Sequence, residues 1–364
     1  MKQKLYDKIF LFLLCVTVIS APTALMIFPS REFSKKENRP LASAPDLSLS
    51  SFANGSYFER LSDYVKDQFP FRDSFVSAHS LCELSLLKLQ VNDVLLAENQ
   101  VLVRIPSEYN TQRISSNLKA LQGVGSLFVP PRSVDIFRDS LPKSFDYGAE
   151  REIYSLLPSE AYELLEGYLL AADEDDYYKT DHHWTGDGAY LAYTQICNAL
   201  GIKPYKEEHF TKEIASRTFR GSSFSRSGLP EYACDTDKII LYRFEGDTRV
   251  RVTNHETKKT THGFYDYSAI GSSDEYRIFL GGNYSHLSIS SGDENEKKPT
   301  LLLIKDSFAN SLVPFLSLHY DIELIDPRYC TSELLNEKIR EGKYSHVLSL
   351  LSIDTLSGIE LNLK

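Results

Sequence analysis

Two short stretches, far apart in the chain, contain the residue types that a serine hydrolase or acyltransferase needs. Residues 180–185 read Thr-Asp-His-His-Trp-Thr, and residues 305–310 read Lys-Asp-Ser-Phe-Ala-Asn. If residues 181–183 are extended, Asp181 and His183 face the same side, because alternate residues of a strand do so. Asp181 then orients His183, which takes the proton of the Ser307 hydroxyl. The two stretches therefore predict a catalytic triad.

The elements around Ser307 place its hydroxyl where a nucleophile is expected. An apolar run at 300–305 predicts a buried strand, and 308–318 predicts the helix that follows it. The hydroxyl then lies at the carboxyl edge of a sheet, beside the free N–H groups of a helix start, which are donors for an oxyanion. Further downstream, 321–351 alternates strand, helix and strand. This alternation predicts an α/β fold with a parallel sheet flanked by helices.

The Asp-His-His stretch also has two other interpretations. The histidines can form a structural pair that is satisfied within the core, or they can ligate a metal ion. A zinc site needs a further protein ligand, and His255, His262 and His286 offer one without a suggestive spacing. We predict the triad, with no metal ion and no cofactor.

Composition excludes one class of function. The formal net charge of −10 and the lack of a basic run argue against a nucleic-acid role. The 22 tyrosines and 20 phenylalanines suit a sugar-binding surface, but half-buried rings in a sheet protein explain them equally well. The four cysteines outside the apolar N-terminal segment are predicted to be buried free thiols, with disulfide pairing in an oxidising compartment as the alternative, and none of the five cysteines has the spacing of a metal knuckle or a C-x-x-C pair. They are Cys15, Cys82, Cys197, Cys234 and Cys330.

The N-terminal segment predicts how the chain is attached to the cell. Residues 9–28 form one uncharged apolar run of about the length that spans a bilayer. Lys2, Lys4 and Lys8 precede it, as the positive-inside rule requires. A cleavable signal peptide is the rival interpretation. We predict an uncleaved single-pass anchor in the cell membrane, which leaves the catalytic domain extracytoplasmic.

The rest of the chain divides into three predicted parts. Residues 31–56 contain two prolines and many small polar residues, and they predict an extended tether after the anchor of 1–30. A helical lead-in at 57–110 is predicted to pack on the core. Residues 111–364 are predicted to form the catalytic domain, with an insertion of loops and a small strand layer at about 202–275.

Several blocks of the sequence, in order, resemble the DHHW family of extracytoplasmic proteins. Residues 180–185 match the motif for which the family is named. Further matching blocks run along most of the chain, at 37–40, 67–73, 221–228, 279–283, 304–310 and 313–315. The family is similar to the periplasmic alginate O-acetylation proteins, so the resemblance implies an SGNH-hydrolase-like fold.

Carried over to this sequence, the resemblance implies the same triad and an oxyanion hole. The hole is expected to use the Ser307 N–H together with Gly282 and Asn283, which end a predicted strand at 276–283. One departure is Lys305, which stands where the SGNH nucleophile motif has glycine. The conformation of the nucleophile turn is therefore not carried over from the SGNH pattern.

The sequence thus predicts a serine-dependent O-acetyltransferase or acetylesterase that acts on a cell-envelope or exopolysaccharide, with Trp184 and Arg220 lining the substrate. The resemblance implies a membrane-bound O-acyltransferase as the partner that delivers acetyl groups. The alternative is a non-catalytic polysaccharide-binding or scaffold protein of the envelope. The two differ in geometry, since an enzyme must bring His183 and Ser307 within hydrogen-bond distance.

Overall fold

The protein folds into two compact units. The computed structural model describes residues 6, 8–12, 23, 25, 27–105, 108–291 and 297–363. The first unit comprises Met1–Lys88 and Gly228–Ala233, and the second comprises Leu89–Ser227 and Cys234–Lys364. The division therefore falls at Lys88, whereas the sequence predicted the start of the catalytic domain at residue 111.

Both units contain α-helices and β-strands. The α-helices are α1 Leu49–Ala53, α2 Ser56–Gln68, α3 Arg72–Ser85, α4 Thr111–Leu121, α5 Ser133–Ile136, α6 Tyr147–Arg151, α7 Ser159–Ala171, α8 Gly186–Ala199, α9 Ser222–Ser227, α10 Val313–Leu316, α11 Ser332–Arg340 and α12 Ile353–Gly358. The strands are β1 Phe33–Ser34, β2 Arg39–Pro40, β3 Gln90–Val91, β4 Val94–Leu96, β5 Leu102–Arg104, β6 Ser126–Phe128, β7 Thr211–Phe219, β8 Asp237–Arg243, β9 Arg251–Asn254, β10 Lys259–His262, β11 His286–Ser290, β12 Thr300–Lys305, β13 Asp321–Ile325 and β14 His346–Leu350. Short 3-10 turns connect several of them, including Glu275–Ile278 and Ser307–Ser311.

In the first unit, ion pairs tie a hairpin to two helices. Strands β1 and β2 pair antiparallel, and Arg39 of β2 pairs with Asp67 of α2 at 2.6 Å. Glu37, in the hairpin turn, pairs with Arg72 at the start of α3. The segment 31–56 is therefore a hairpin and a short helix, and the prediction of an extended tether is wrong. The stabilising partners lie beyond the segment, where no local pattern reveals them.

The predicted anchor at 9–28 lies largely outside the described residues. Within the part of the chain that the structure describes, no helix combines the length and the apolar character that a bilayer crossing requires. The anchor therefore stays a prediction from sequence.

The second unit is built on a mixed sheet. Among the described residues it has seven strands, in the order β10-β9-β11-β13-β12-β14-β6. β12 pairs in parallel with β13 on one side and with β14 on the other, and β14 pairs in parallel with β6. β11, β9 and β10 extend the sheet by antiparallel pairing. The predicted parallel sheet is confirmed for the strands from β13 to β6, and the antiparallel extension makes the whole sheet mixed.

Strand β12 is central and buried on both faces. Leu301 and Leu303 face one apolar core, which includes residues of α8, whereas Leu302 and Ile304 face a second core, which includes residues of α4. Alternate residues of a strand point to opposite faces, so an uninterrupted apolar run suits a strand covered on both sides. This double burial fixes the end of β12, where the turn that contains Ser307 begins.

The segment between α8 and β12 differs from the prediction in two ways. The predicted strand at 276–283 is instead the turn Glu275–Ile278, followed by a single bridge between Tyr265 and Phe279. The predicted insertion at 202–275 contributes a separate antiparallel pair, β7 with β8, but its strands β9 and β10 join the main sheet. A short apolar run fits a strand and a buried turn equally well, so only tertiary packing separates them.

Candidate active site

The predicted triad residues meet in the second unit. His183 Nε2 lies 2.8 Å from Ser307 Oγ, and His183 Nδ1 lies 2.5 Å from Asp181 Oδ1. All three residues are buried, with Ser307 the most accessible at 8%. His183 thus has an orienting carboxylate on one ring nitrogen and a hydroxyl on the other, which is the arrangement that allows a histidine to act as a general base toward a serine.

The loop that carries Asp181 and His183 is closed on itself. The Tyr178 N–H donates to the His183 carbonyl at 3.2 Å, and Tyr177 bridges to Trp184. Within the loop, the His183 N–H donates to Asp181 Oδ1 at 2.9 Å. The predicted extended conformation is therefore wrong. The two side chains still meet, because the aspartate caps the turn that leads to the histidine.

The second oxygen of Asp181 is held by the start of α9. The Ser222 N–H donates to Asp181 Oδ2 at 2.5 Å, and a Cβ atom added to Gly221 would lie 2.3 Å from the Asp181 Cβ. Burial acts to raise the pKa of Asp181, but His183, His182 and the Ser222 N–H hold it well below its usual range. Asp181 is therefore ionised at neutral pH and accepts from His183.

Asp237 fixes the start of the same loop. Its carboxylate accepts from the Lys179 and Thr180 N–H groups at 3.0 and 2.8 Å and from the Thr180 hydroxyl at 2.6 Å. Thr180 in turn accepts from the Gly221 N–H at 3.1 Å. Sequence reasoning missed this residue because Asp237 lies 57 positions from Thr180, in a block with no recognisable motif.

Asp306 fixes the turn that carries the nucleophile. Its Oδ1 accepts from the Phe308 N–H at 3.1 Å. Its Oδ2 accepts from the Ser352 N–H at 2.7 Å and from the Thr355 hydroxyl at 2.8 Å. Burial acts to raise the pKa of Asp306, but Arg328 and the hydrogen bonds from Ser352 and Thr355 lower it overall. The ionised side chain thus joins the end of β12 to the start of α12.

Two aromatic rings confine the His183 imidazole. Tyr276 stacks on it with ring centroids 4.0 Å apart and planes 7° apart, and Phe308 meets it edge-on at 4.8 Å. The Tyr276 hydroxyl donates to the Ser307 carbonyl at 3.3 Å. Tyr276 therefore contacts both the base and the nucleophile turn. In the sequence nothing distinguishes it from the many other tyrosines of the chain.

His182 packs against His183, although the extended conformation predicted that it would point away. The two ring centroids lie 3.9 Å apart, and His182 Nδ1 lies 2.6 Å from the Ser222 hydroxyl. Burial and the nearby His183 lower the pKa of His182 to about 3, although Asp181 acts to raise it. His182 is therefore neutral at neutral pH, which avoids a second positive charge beside His183 when that ring takes a proton.

Asp181, His182 and His183 also offer three possible metal-ligand atoms within 4.8 Å of one another. The hydrogen bonds of the site already engage them, since His183 lies between Asp181 and Ser307 and His182 contacts Ser222. A metal ion would have to break these contacts to reach the nitrogen lone pairs. The arrangement suits a triad better than metal ligation.

A second group of possible ligands, His255, His286 and Glu323, lies on strands β11 and β13 and the end of β9. His286 Nε2 lies 2.6 Å from Glu323 Oε1, and Lys338 Nζ lies 2.9 Å from the same oxygen. The lysine ammonium already neutralises this carboxylate. His262, which the sequence offered as a ligand, is exposed on β10 and stands outside the group. The group is a hydrogen-bonded network that links two strands to α11.

The predicted oxyanion donors differ in their availability. Ser307 begins its 3-10 turn, and the first N–H groups of a helix have no partner within it. Asn283 Oδ1 accepts from Lys305 Nζ at 2.9 Å, which leaves the NH₂ group of Asn283 to donate. By contrast, the Gly282 N–H already donates to the Phe279 carbonyl at 3.2 Å. The prediction for Gly282 is corrected, because the turn itself uses this N–H.

The two predicted substrate-lining residues, Trp184 and Arg220, differ in their exposure. Trp184 is 0% exposed and its Nε1–H donates to the Ser311 hydroxyl at 2.9 Å, so it packs in the core behind the triad and cannot line a substrate. Arg220 is half-buried, with its guanidinium carbon 5.5 Å from the centre of the Phe224 ring. Its contact with substrate stays a prediction.

Comparison with known sequences points to one family. A family model described as DHHW protein matches residues 138–324, which is more than half of the chain and includes Asp181, His183 and Ser307. Among curated proteins, none matches this sequence.

Solved structures share the fold of about three quarters of this chain. A DHHW family protein from Eubacterium siraeum aligns with a TM-score of 0.57 at 19% identity, covering 74% of this chain and 94% of that one. PatB1 of Bacillus cereus, in a structure with a sulfonyl adduct, aligns with a TM-score of 0.59 at 21% identity, covering 75% of this chain and 100% of that one. At such identities the likeness establishes the fold and leaves the activity to be argued from the site.

Proposed function

This chain belongs to the DHHW family, and from that premise and the site we propose that it is an extracytoplasmic, serine-dependent O-acetyltransferase or acetylesterase of the SGNH type, acting on a cell-envelope or exopolysaccharide. One observation carries the proposal. His183 Nε2 lies 2.8 Å from Ser307 Oγ while its other nitrogen faces an ionised Asp181. A non-catalytic polysaccharide-binding protein has no need of this alignment.

The first half of the proposed reaction forms an acetyl-serine. His183 Nε2 takes the Ser307 proton as Oγ attacks the carbonyl carbon of an acetyl ester, and the negative charge moves to the carbonyl oxygen. The Ser307 N–H and the Asn283 NH₂ group are the candidate donors to this oxyanion. When the C–O bond of the ester breaks, His183 gives the proton to the departing alcohol. Asp181 stabilises the imidazolium between these steps.

The second half regenerates the serine. A sugar hydroxyl or water gives its proton to His183 and attacks the acetyl-serine carbonyl, and collapse of the second tetrahedral intermediate returns the proton to Ser307. The product is an acetylated sugar or free acetate. The two outcomes differ only in which hydroxyl reaches the acyl group, so the same triad supports transfer and hydrolysis.

The acceptor side of the proposal is supported by a cavity beside the candidate oxyanion loop. The cavity has a volume of about 380 Å³, and its lining includes Tyr265, Asp266, Gly281 and Tyr284. Half-buried tyrosine rings with a carboxylate nearby suit the ring faces and hydroxyls of a sugar. In the sequence Asn283 lies between Gly281 and Tyr284, so the cavity adjoins the loop that carries the candidate oxyanion amide. A membrane-bound O-acyltransferase is the proposed source of acetyl groups.

The decisive test compares the purified full-length protein with Ser307→Ala. Wild type should hydrolyse a chromogenic acetyl ester, carry one acetyl group by intact mass, and be labelled once by a sulfonyl fluoride. Ser307→Ala should lose all three while keeping its circular dichroism spectrum. Ser115→Ala, which changes an exposed serine of α4, is the matched control. Turnover or labelling that survives in Ser307→Ala would exclude this nucleophile.

The same samples separate an enzyme from a binding protein. A folded wild-type protein that shows neither turnover nor an adduct, but retains envelope glycans in a pull-down, would favour the binding interpretation. If turnover is present, adding oligosaccharide acceptors separates the two reactions. A transferase should move acetyl groups to the glycan at the expense of free acetate, whereas an esterase should release acetate at an unchanged rate.

A further inference from the structure

A lysine is buried at the end of the strand that leads to the nucleophile. Lys305, the last residue of β12, is 0% exposed and stands two positions before Ser307. Moving an ammonium group out of water is costly unless nearby groups compensate it. Burial lowers the pKa of Lys305 to about 8, although Asp326 acts to raise it. A residue this costly to bury requires a specific set of partners.

Lys305 has a hydrogen-bond acceptor for each of its three N–H donors. Nζ lies 2.8 Å from Asn310 Oδ1, 2.9 Å from Asn283 Oδ1 and 3.2 Å from Asp326 Oδ2. Arg328 also binds Asp326 at 2.7 Å, so the lysine shares its counter-ion with a second cation. Two amide oxygens and one shared carboxylate therefore hold the ammonium in place.

These acceptors bring three segments to one point at the carboxyl edge of the sheet. Asn310 belongs to the turn Ser307–Ser311, Asn283 follows the glycine turn, and Asp326 follows β13. The Asn310 Nδ2 group also donates to Asn283 Oδ1 at 3.0 Å. Lys305 thus connects the nucleophile turn directly to the loop that carries the candidate oxyanion amide.

The contacts fix which way the Asn283 carboxamide faces. Its Oδ1 accepts from two donors, Lys305 Nζ and Asn310 Nδ2, and this assigns the oxygen and the nitrogen without ambiguity. The NH₂ group must then point away from the lysine. Among the described residues this group forms no hydrogen bond, and Asn283 is half-buried, so the amide is oriented and still free to donate.

We propose that Lys305 is a positioning residue of the oxyanion hole, which holds the Asn283 carboxamide so that its NH₂ group donates to the oxyanion formed at Ser307. The inference rests on the proposed acyl-transfer function and deepens it. A donor oriented before the reaction stabilises the transition state without reorganisation, which is how oxyanion holes contribute to rate.

A double-mutant cycle tests whether Lys305 acts through Asn283. We would measure kcat for a chromogenic acetyl ester with wild type, Lys305→Met, Asn283→Ala and the double variant. Loss of one oxyanion donor costs about 10²–10³-fold in kcat, and each single variant should approach this loss. The double variant should lose little more than either single one, since both changes remove the same oriented amide. Losses that multiply would overturn the inference.

The rate of Ser307 labelling by a sulfonyl fluoride gives a second readout of the same cycle. It reports on the attack of Ser307 alone and should show the same non-additivity. Lys338→Met is the matched control, because it removes another paired lysine, bound to Glu323 and Glu341. A wild type without turnover or labelling would refute the proposed function and this inference together. A reactive wild type with independent losses would refute the inference alone.

The pH profile keeps the inference testable if Lys305→Met fails to fold. Lys305 faces Asp326, and Arg328 and Asp306 also act on its charge. Because burial lowers the pKa of Lys305 to about 8, wild-type kcat should decline above that pH as the lysine is deprotonated and its hold on Asn283 weakens. In Asn283→Ala the decline should flatten, since the positioned group is gone. An unchanged alkaline limb in Asn283→Ala would contradict the positioning role.

Discussion

Three neighbouring side chains fix the tautomer and the orientation of the His183 imidazole. Asp181 accepts a hydrogen bond from the Nδ1–H group of His183, which leaves the Nε2 lone pair to take the proton of Ser307. The stacked Tyr276 and the edge-on Phe308 limit how far the ring can turn. The tautomer and the orientation of the base are therefore set before any substrate arrives, which lowers the cost of reaching the reactive geometry.

Replacing Asp181 with asparagine tests whether its carboxylate sets the tautomer of His183. Asp181→Asn keeps the size of the side chain but presents an amide that can hold the wrong tautomer of His183. By analogy with serine proteases, kcat for acetyl ester hydrolysis should fall by about 10⁴-fold. Asp175→Asn, at an exposed carboxylate of a nearby turn, should leave kcat unchanged. A loss under tenfold in Asp181→Asn would show that the carboxylate does not serve the base.

Glu323 gives a prediction about acid stability. Burial acts to raise its pKa, but hydrogen bonds from His286, Lys338 and Ser288 lower it to about 2, from 4.5. A lowered pKa in the folded state means that the stabilisation is present above about pH 4.5 and is lost as pH falls toward 2. We expect a contribution of ~1–2 kcal/mol, since the carboxylate is only partly shielded from solvent.

Urea unfolding of wild type and Glu323→Gln at several pH values measures this contribution. Glu323→Gln should be less stable than wild type at pH 7, and the two should converge as pH approaches 2. His262→Ala, at an exposed residue outside the network, serves as the control. A constant difference in the free energy of unfolding from pH 7 to pH 2 would show that ionisation of Glu323 is irrelevant.

At the scale of elements, the block between α8 and β12 is part of the site. Strand β8 supplies Asp237, which holds the Thr180 backbone, and the start of α9 supplies the Ser222 N–H, which binds Asp181. The block predicted to be a layer over the core therefore positions the acid of the triad. Changes at Asp237 or around Ser222 should alter activity even though these two residues take no part in the chemistry.

Gly221 offers the sharpest test of this dependence. An alanine Cβ at this position would stand 2.2 Å from Asp181 Oδ2, so either the carboxylate or the segment before α9 must move. We expect Gly221→Ala to lower kcat by at least 10²-fold, since misplacing a catalytic group by about 1 Å costs this much. Gly358→Ala, where no atom lies within 4 Å of the added Cβ, is the matched control. Unimpaired turnover in Gly221→Ala would show that the close approach is unimportant.

At the scale of the whole molecule, the burial of each cysteine decides which thiol an external reagent can reach. The described cysteines are free thiols, but only Cys197 and Cys234 are buried and Cys82 is exposed, so the prediction of buried thiols is wrong for Cys82. Burial raises the pKa of Cys197 to about 12 and that of Cys234 to about 11, which suppresses their reactive thiolates. Cys82 is therefore the described thiol best placed to react with an external reagent.

The proposed extracytoplasmic location can be tested with this thiol. A membrane-impermeant maleimide added to intact protoplasts should label the wild-type protein and fail to label Cys82→Ser. A cytoplasmic protein with its own exposed cysteine is the control for leakage. Labelling that appears only after lysis would place the domain inside the cell and contradict the predicted topology.

The sequence by itself determined the elements whose patterns are local. The apolar run of β12 indicated a doubly buried strand, the alternation after it indicated the parallel part of the sheet, and the motif at 180–185 with Ser307 indicated the triad residues that the structure brings together. These inferences work because side-chain periodicity and the position of a residue at a strand end are written along the chain.

Only the tertiary structure decided the contacts between distant segments. Tyr276 stacks on His183, Asp237 holds Thr180, and Lys305 binds Asn283, and in each case the partner lies far along the chain. For the same reason the sequence did not reveal that Trp184 is buried in the core, where its indole N–H donates to the Ser311 hydroxyl. Hydrogen bonds and ring stacking depend on positions within a few tenths of an ångström, and such positions exist only once the whole sheet and its turns have packed.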